Sequence, residues 1–291
     1  MSAVDELSEL VRGVAASAGP AVVSIGRHGR GTGFVVASGK VLTNAHNVRD
    51  ETTEVGFADG RSVQGTIAGS DVDGDLVVVD VDTAGVAPLE WSTDPVAPGD
   101  VVITVTAGRH RRRSGWGQVT AVEAAFRGPR GRRITGALEH TAPSGAGSSG
   151  APVLDRSGKV VGINTHRIEQ GFYLARTADD TMRTAVAAMA EGRRFERVRL
   201  GVALAPPEVA ARLRRSVGLE AREGLLVRGV VDDSPAARAG IREGDLLTRA
   251  ADHDLRTPDD LFAVLAGLES GSELTIALVR GTEELTVNVT F

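Results

Sequence analysis

After Gly19-Pro20 the chain breaks into short β-branched runs: AVVSIG, GTGFVVAS, KVLTNA, DLVVVDVD, DVVITVTA, VTAVEA and KVVGINT. Gly, Ser and Asp turns separate them, at spacings that belong to an all-β barrel or sandwich. The 36 glycines serve many tight turns, and aromatics at 3 % leave few ring anchors for the cores. Two hairpins resemble each other, FVVASGKVLTNAH (34–46) and PVLDRSGKVVGINTH (152–166), each folding back around Ser-Gly-Lys. Nothing recurs at a fixed period, so this is not a solenoid repeat. Two similar barrels would produce the echo, and coincidence would produce it equally.

The β region has helical flanks. Val4, Leu7, Leu10, Val11 and Val14 lie at helical spacing, with Asp5 and Glu6 placed for the N-terminal dipole. Residues 177–191 read as a helix with Thr177 as N-cap and Gly192 past its end. GRRFERVR is a linker. From Arg199 the pattern changes. SPAARAG (234–240) has Ser as cap, Pro at the first helical position and Gly as stop, and TPDDLFAVLAG (257–267) repeats that grammar. Strand-like runs GLLVRGVV, DLLTRA, ELTIALVR and ELTVNVTF surround them. The expected organisation is a helix at 1–18, a β domain at 19–191, a linker at 192–198 and an α+β domain at 199–291.

The absence of cysteine excludes disulfides, thiolate metal sites and a cysteine nucleophile. A net charge of −5 argues against a polyanion binder. The first residues carry acids and no signal-like apolar run, and no segment reaches the roughly 20 apolar residues of a membrane span. The chain as it stands reads as cytoplasmic, and an exported chain trimmed of its leader would read the same.

GAGSSGAPVLD (145–155) fits two patterns. Gly145, Gly147 and Gly150 spell G-x-G-x-x-G, with Glu169 19 residues further on, as in a dinucleotide-binding turn. That fold needs a helix to begin at the glycines. Pro152 and a β-branched hairpin follow instead, so the match is accidental and no cofactor is expected. The same letters read G-x-S-G-x-P, with Ser149 as a nucleophile. A serine needs a base, and the base needs an orienting acid. Of six histidines only His46, in TNAHNV just after a strand, has a setting with such a task. His28, His110, His140, His166 and His253 read as surface or structural. The acid comes from GSDVDGDLVVVD (69–80), where Asp75 precedes the apolar strand and Asp71 is the substitute. The order His46, Asp75, Ser149 is that of chymotrypsin-type proteases.

These boxes carry a resemblance. TNAHNV resembles the T-N-A-H-V-V box of the HtrA (Deg) serine proteases, and SDVDGDLVVVDVD resembles their D-P-x-x-D-L-A-V-L-K box. GSSGAPVLDRSGKVVGINT is similar to G-N-S-G-G-P-L-x-N-x-x-G-x-V-I-G-I-N-T, and DDSPAARAGIREGDLL to the S-P-A-A-x-A-G-L-x-x-G-D-V-I run of a PDZ domain. The resemblance implies a mainly β protein: a chymotrypsin-like double β-barrel protease domain followed by an α+β PDZ domain. It implies His46, Asp75 and Ser149 as the triad and the N–H groups of Gly147 and Ser149 as the oxyanion hole. It places a carboxylate-binding loop at RLGV, with Leu200, Gly201 and Val202 holding a peptide C-terminus. The implied partners are unfolded or misfolded proteins and peptide C-termini. A trimer is implied too, although no aromatic precedes Phe34.

The sequence departs from the pattern at several points. Ser148 replaces Asn, Ala151 replaces Gly, Asn47 replaces Val after the histidine, and His253 replaces Gly in the PDZ part. The Ala151 methyl is expected to restrict the oxyanion loop. GRHGRG is all that stands where some relatives carry a long loop. Pro143, six residues before Ser149, gives a basic P1 side chain no partner, and the resemblance implies small aliphatic P1 residues. RHRRRSGWG (109–117) and RGPRGRR (127–133) suggest phosphate contacts beside Trp116. They read more simply as solvated faces in a chain whose lysines stand only at 40 and 159. The rival reading of the whole is a proteolytically silent peptide-binding or chaperone-like protein on the same fold.

Overall fold

The structure, a computed structural model, describes residues 2–108, 111–128, 131–169, 171–195, 197–220 and 222–291. It divides into two units, Met1–Phe195 and Glu196–Phe291.

The first unit holds two six-stranded antiparallel barrels. Barrel 1 contains β1 (Val22–Ile25), β2 (Gly31–Ala37), β3 (Lys40–Thr43), β4 (Thr52–Gly56), β5 (Ser62–Asp71) and β6 (Leu76–Asp80), closed in the order β1-β2-β3-β6-β5-β4. Barrel 2 contains β7 (Val101–Gly108), β8 (Arg111–Arg127), β9 (Arg133–His140), β10 (Pro152–Leu154), β11 (Val160–Glu169) and β12 (Phe172–Thr177), closed in the order β10-β11-β12-β9-β8-β7. Counted from its own first strand, barrel 2 has the strand order of barrel 1. The two echoing hairpins are nevertheless not equivalent. Residues 34–46 span β2 and β3, the second and third strands of barrel 1. Residues 152–166 span β10 and β11, the fourth and fifth of barrel 2. The duplication lies in the topology and the echo does not report it.

Strands β4, β5, β9 and β12 were not legible as β-branched runs. TTEVG, SVQGTIAGSD, RITGALEH and FYLART mix polar and apolar residues because each shows one face to solvent. The legible β6 is buried along Leu76–Val79. Phe34, Leu42 and Leu76 of barrel 1 share one core cluster with Ile103, Leu154 and Ile163 of barrel 2. Burying each such side chain contributes about 1.5–3 kcal/mol.

Helix α1 (Ala3–Ala18) adds Val14 and Ala18 to that cluster. It starts with a capping box in which Ser2 and Asp5 exchange hydrogen bonds, and those bonds hold the Asp5 carboxyl below its ordinary pKa. Helix α2 (Asp180–Ala190) adds Met182, Val186 and Met189. Its N-cap is Asp179, which accepts the Met182 N–H at 2.7 Å, whereas Thr177 pairs with Gly162 as the last residue of β12. The predicted Thr177 cap is displaced because the strand runs on to that residue and a better capping side chain follows.

The second unit is a sheet ordered β13-β14-β15-β17-β18, with β16 paired to β15. Its strands are β13 (Val202–Leu204), β14 (Leu225–Val230), β15 (Leu246–Ala250), β16 (His253–Asp254), β17 (Glu273–Arg280) and β18 (Glu283–Thr290). Helix α4 (Pro235–Arg238) is capped by Ser234, and α5 (Pro258–Leu265) by a Thr257–Asp260 box. Helix α3 (Pro207–Ser216), which the sequence reading missed, has Pro and Glu at its start and two arginines at its end. Its apolar face packs Val209, Ala210 and Leu213 against Leu226 and Leu246. Buried Asp245 accepts two 2.8 Å hydrogen bonds from the Arg280 guanidinium. Among the described residues no helix is long and apolar enough to cross a membrane.

Candidate active site

Each barrel contributes one half of the site. In barrel 1, β3 ends in a short 3₁₀ turn, Ala45–Asn47, that presents His46. The β5–β6 turn presents Asp75, 2 % exposed and in the left-handed region at φ 58°. The Asp75 carboxylate lies 2.8 and 3.0 Å from His46 Nδ1 and also accepts the His46 backbone N–H at 3.1 Å. The Asp75 carbonyl takes hydrogen bonds from the Asn44 amide (3.0 Å) and the Ala45 N–H (3.2 Å). With a carboxylate beside it, Nδ1 carries the proton and Nε2 is left basic. Asp71, the substitute acid, does other work. It accepts the Gly74 N–H at 2.9 Å and lies 3.8 Å from Arg176 of β12, whose Nη1 donates to the Gly74 carbonyl at 2.6 Å. It shapes the turn that aims Asp75.

In barrel 2 the loop before β10 carries Ser149, half-buried, between two glycines of positive φ: Gly147 at 84° and Gly150 at 87°. A Cβ on Gly150 would lie 2.0 Å from the Thr32 carbonyl oxygen, so no larger residue fits there. Ala151, in contrast, is fully buried and outside the positive-φ region, a conformation that its methyl permits. Among the described residues the N–H groups of Gly147 and Ser149 donate to no protein acceptor. The Ser149 hydroxyl donates to the Thr165 carbonyl at 3.2 Å, and no hydrogen bond joins it to His46 in this rotamer. Thr165 binds both halves, since its own hydroxyl donates to Asp75 Oδ2 at 3.1 Å.

Barrel 1 holds the serine loop with residues the sequence reading passed over. The Thr32 hydroxyl donates to the Gly147 carbonyl at 2.7 Å, and the Thr32 N–H to the Ser149 carbonyl at 2.9 Å. Asn47, noted only as a departure from Val, is buried and gives its amide to the Ser149 carbonyl (2.9 Å) and the Thr43 hydroxyl (3.0 Å). Gly31 makes room for it, because a Cβ there would meet Asn47 Cγ at 2.2 Å. The departure was the signal, and its meaning needed the neighbouring barrel.

Beneath the loop runs a second network. The Gly150 N–H donates to the Asn164 carbonyl (2.7 Å) and the Asn164 N–H to the Ala151 carbonyl (2.8 Å). The Asn164 side chain donates to Ser144 (2.7 Å) and lies 3.2 Å from His140 Nε2. His140 Nδ1 accepts the Ala142 N–H at 3.2 Å, so the proton sits on Nε2. Burial pushes this imidazole down to about 4, against a smaller opposing effect of the Asn164 bond. His140 is structural, as expected. A pocket of about 300 Å³ opens beside Ser149, between Ser144–Ser149 on one side and Asn164–Arg167 with Tyr173 on the other.

The basic loops are partly engaged. Arg112 bonds the Gly19 and Val22 carbonyls, and Arg127 bonds the Gly131 carbonyl. Arg109, His110 and Arg130 lie outside the described residues. Trp116 is 48 % exposed.

In the second unit Leu200 is buried, Gly201 has φ 83°, and Val202 opens β13, an end strand that pairs with β14. The carbonyls of Leu200 and Gly201 accept from Ala236 and Val231 at 2.9 Å each. Their N–H groups have no protein acceptor among the described residues. His253 is exposed on β16.

Comparison with known proteins identifies both units. Residues 31–163 match the trypsin-like peptidase domain and residues 198–291 the PDZ domain. The chain is therefore a trypsin-like peptidase domain joined to a PDZ domain, and its homologues are HtrA- and DegP-type serine proteases. HhoB of Synechocystis, which carries a serine-protease name, is 30 % identical over 87 % of this chain and 64 % of its own length. A DegP-like periplasmic serine endoprotease of Brucella suis is 29 % identical over 90 % and 52 %. The chain thus spans roughly half to two thirds of these relatives. In fold it is similar to the HtrA-type protease AlgW with a decapeptide: TM-score 0.68, 21 % identity, 96 % of this chain and 97 % of that one. A serine endoprotease from Yersinia pestis gives a TM-score of 0.66 at 23 % identity, covering 96 % of each chain.

Proposed function

We propose that the chain is an HtrA-type serine endopeptidase that degrades unfolded or damaged proteins. The observation that carries the reading is the buried Asp75 carboxylate on His46 Nδ1, facing a serine loop whose Gly147 and Ser149 N–H groups are free to bind an oxyanion. Turned about χ1, the Ser149 hydroxyl attacks the scissile carbonyl. His46 takes its proton and returns it to the leaving amine, while Asp75 fixes the tautomer and stabilises the imidazolium. Leu200, Gly201 and Val202 hold a peptide C-terminus, and the peptide adds as a strand to β13. The protease domain is placed at 19–191, after the helix at 1–18, and the PDZ domain at 199–291 after a linker. A homo-oligomer, the trimer implied by the resemblance, belongs to the same proposal, and sedimentation tests it.

The test is degradation of unfolded casein by the purified chain beside Ser149→Ala, with and without C-terminal apolar peptides. The wild type cuts and the variant does not. One observation favours the silent reading, the Ser149 hydroxyl resting on Thr165 and not on His46. On that reading neither protein cuts under any condition, while both bind the peptides.

A further inference from the structure

Among the described residues the lining of the pocket beside Ser149 comes from barrel 2. A second cleft, of about 510 Å³, is lined among the described residues by barrel 1 alone, including Asn47, which follows His46 in the chain. Its walls are the β1–β2 loop with Arg27 and Arg30, the stretch Asn47–Asp50 with Arg49, and polar residues of β4 and β5. The loop is short and shaped by a turn, with the Gly29 N–H bonded to the Gly26 carbonyl at 2.9 Å and His28 at φ 66°. Its two arginines line the same cleft as Arg49.

Among the described residues Arg27, Arg30 and Arg49 make no ion pair and no side-chain hydrogen bond. Arg61, Arg183, Arg194, Arg222 and Arg280 each hold a carboxylate. The cleft contains two acids. They are Asp50 and Glu54, the latter also accepting the Ser62 hydroxyl at 2.6 Å, so the three arginines outnumber the acids of the cleft. In a chain of net charge −5 this cleft thus carries an excess of positive charge, on a lining that includes Asn47, the residue after His46.

Direction follows from the chemistry. His46 returns its proton to the leaving amine, so the half of the substrate that departs lies on the His46 side. The acyl half lies on the Ser149 side, over the barrel 2 pocket. We infer that the barrel 1 cleft is a leaving-side subsite, and that Arg27, Arg30 and Arg49 select acidic residues just C-terminal to the scissile bond. This rests on the proteolytic reading of the site. Guanidinium groups bind carboxylates through paired N–H donors, and a cluster of them also steers acidic chains into the cleft.

Two measurements test it. Cut sites of the wild type in an unfolded protein mixture, read by mass spectrometry, show Asp and Glu enriched in the first three positions after the cut. The Arg27→Ala/Arg30→Ala/Arg49→Ala variant still cuts but loses the enrichment. An equal pattern in both proteins overturns the inference. The second arm needs no catalysis. Ser149→Ala protein is titrated with C-terminally amidated peptides rich in Glu, Gln or Lys, so that the PDZ unit has no carboxylate to hold. The Glu peptide binds about tenfold more tightly than the Gln peptide, and the difference disappears at high salt and in the triple arginine variant. No Glu preference, or one that survives loss of the three arginines, sinks the subsite whether or not the chain proves to be a protease. Failure of casein cleavage with the Glu preference intact counts against the triad alone. A single-stranded DNA that competes as well as the Glu peptide overturns the assignment to acidic peptides.

Discussion

The two barrels share one strand order and solve opposite problems. Barrel 1 supplies both members of an acid–base pair, with one added bond to Asp75 from Thr165 of barrel 2. Asp75 and His46 lie on neighbouring turns of one barrel and are joined directly by side-chain and backbone hydrogen bonds. Barrel 2 presents Ser149 on a loop of small residues with two turn hydrogen bonds of its own, Ser148 N–H to Gly145 and Ala151 N–H to Ser148. Thr32 and Asn47 reach across from barrel 1 to bond the carbonyls of Gly147 and Ser149. Asn164 bonds the loop from below. A base must be oriented, and a pair can do that. An oxyanion site needs several backbone amides turned one way, and that takes outside supports. On this view, damage to the base side is chemical, while damage to the serine side is first conformational.

The largest expected effects cannot separate the sides. Ser149→Ala lowers kcat by about 10⁴–10⁶-fold and Asp75→Asn by about 10⁴-fold, each with an unchanged melting temperature, measured on casein and by calorimetry. Gly150→Ala begins to separate them. Its positive φ and the 2.0 Å approach to Thr32 make it inactive and less stable by about 2–4 kcal/mol in urea denaturation. Asn47→Val, which installs the residue usual in the family pattern, is the sharper test. It leaves His46 and Asp75 in place, lowers kcat roughly ten- to hundredfold and costs about 1–3 kcal/mol. An Asn47→Val protein with full kcat would break the comparison.

Acid reaches the serine side through His140. Its folded pKa, about 4, lies below the ordinary 6.5, so the unfolded chain takes up the proton first as pH falls. Stability from this group is whole above about pH 6.5, declines as pH drops, and is fully lost below about 4, a loss of up to about 3 kcal/mol. Urea midpoints across this range fall more steeply in the wild type than in His140→Gln. The smallest effect belongs to Thr165→Val. It removes one bond to Asp75 but keeps the two His46 contacts, and kcat falls about tenfold with little change in stability.

Much of this architecture was present in local sequence. Alternating β-branched runs, Pro-initiated and Gly-terminated helices, and turns of Gly, Ser and Asp all act within a few residues. The order and spacing of the His46, Asp75 and Ser149 boxes, with the PDZ run behind them, were legible for the same reason. Half-exposed strands such as β4 and β9 were not, because TTEVG and RITGALEH are short or interrupted and hold few β-branched apolar residues. Helix α3 was missed in a stretch dominated by arginine and alanine.

What the sequence could not decide was which side chains meet across long separations. Asn47 lies 102 residues from Ser149 and Thr32 lies 115 from Gly147. Nothing nearby in the chain distinguishes a buried Asn that holds a loop from one that merely caps a turn. The same holds for Asp71 against Asp75, two acids in one turn, of which only the fold determines which faces the imidazole. Local physics fixed the elements and the boxes. Closing two barrels side by side placed the partners, because hydrogen bonds between distant residues form only after their strands have been brought into register.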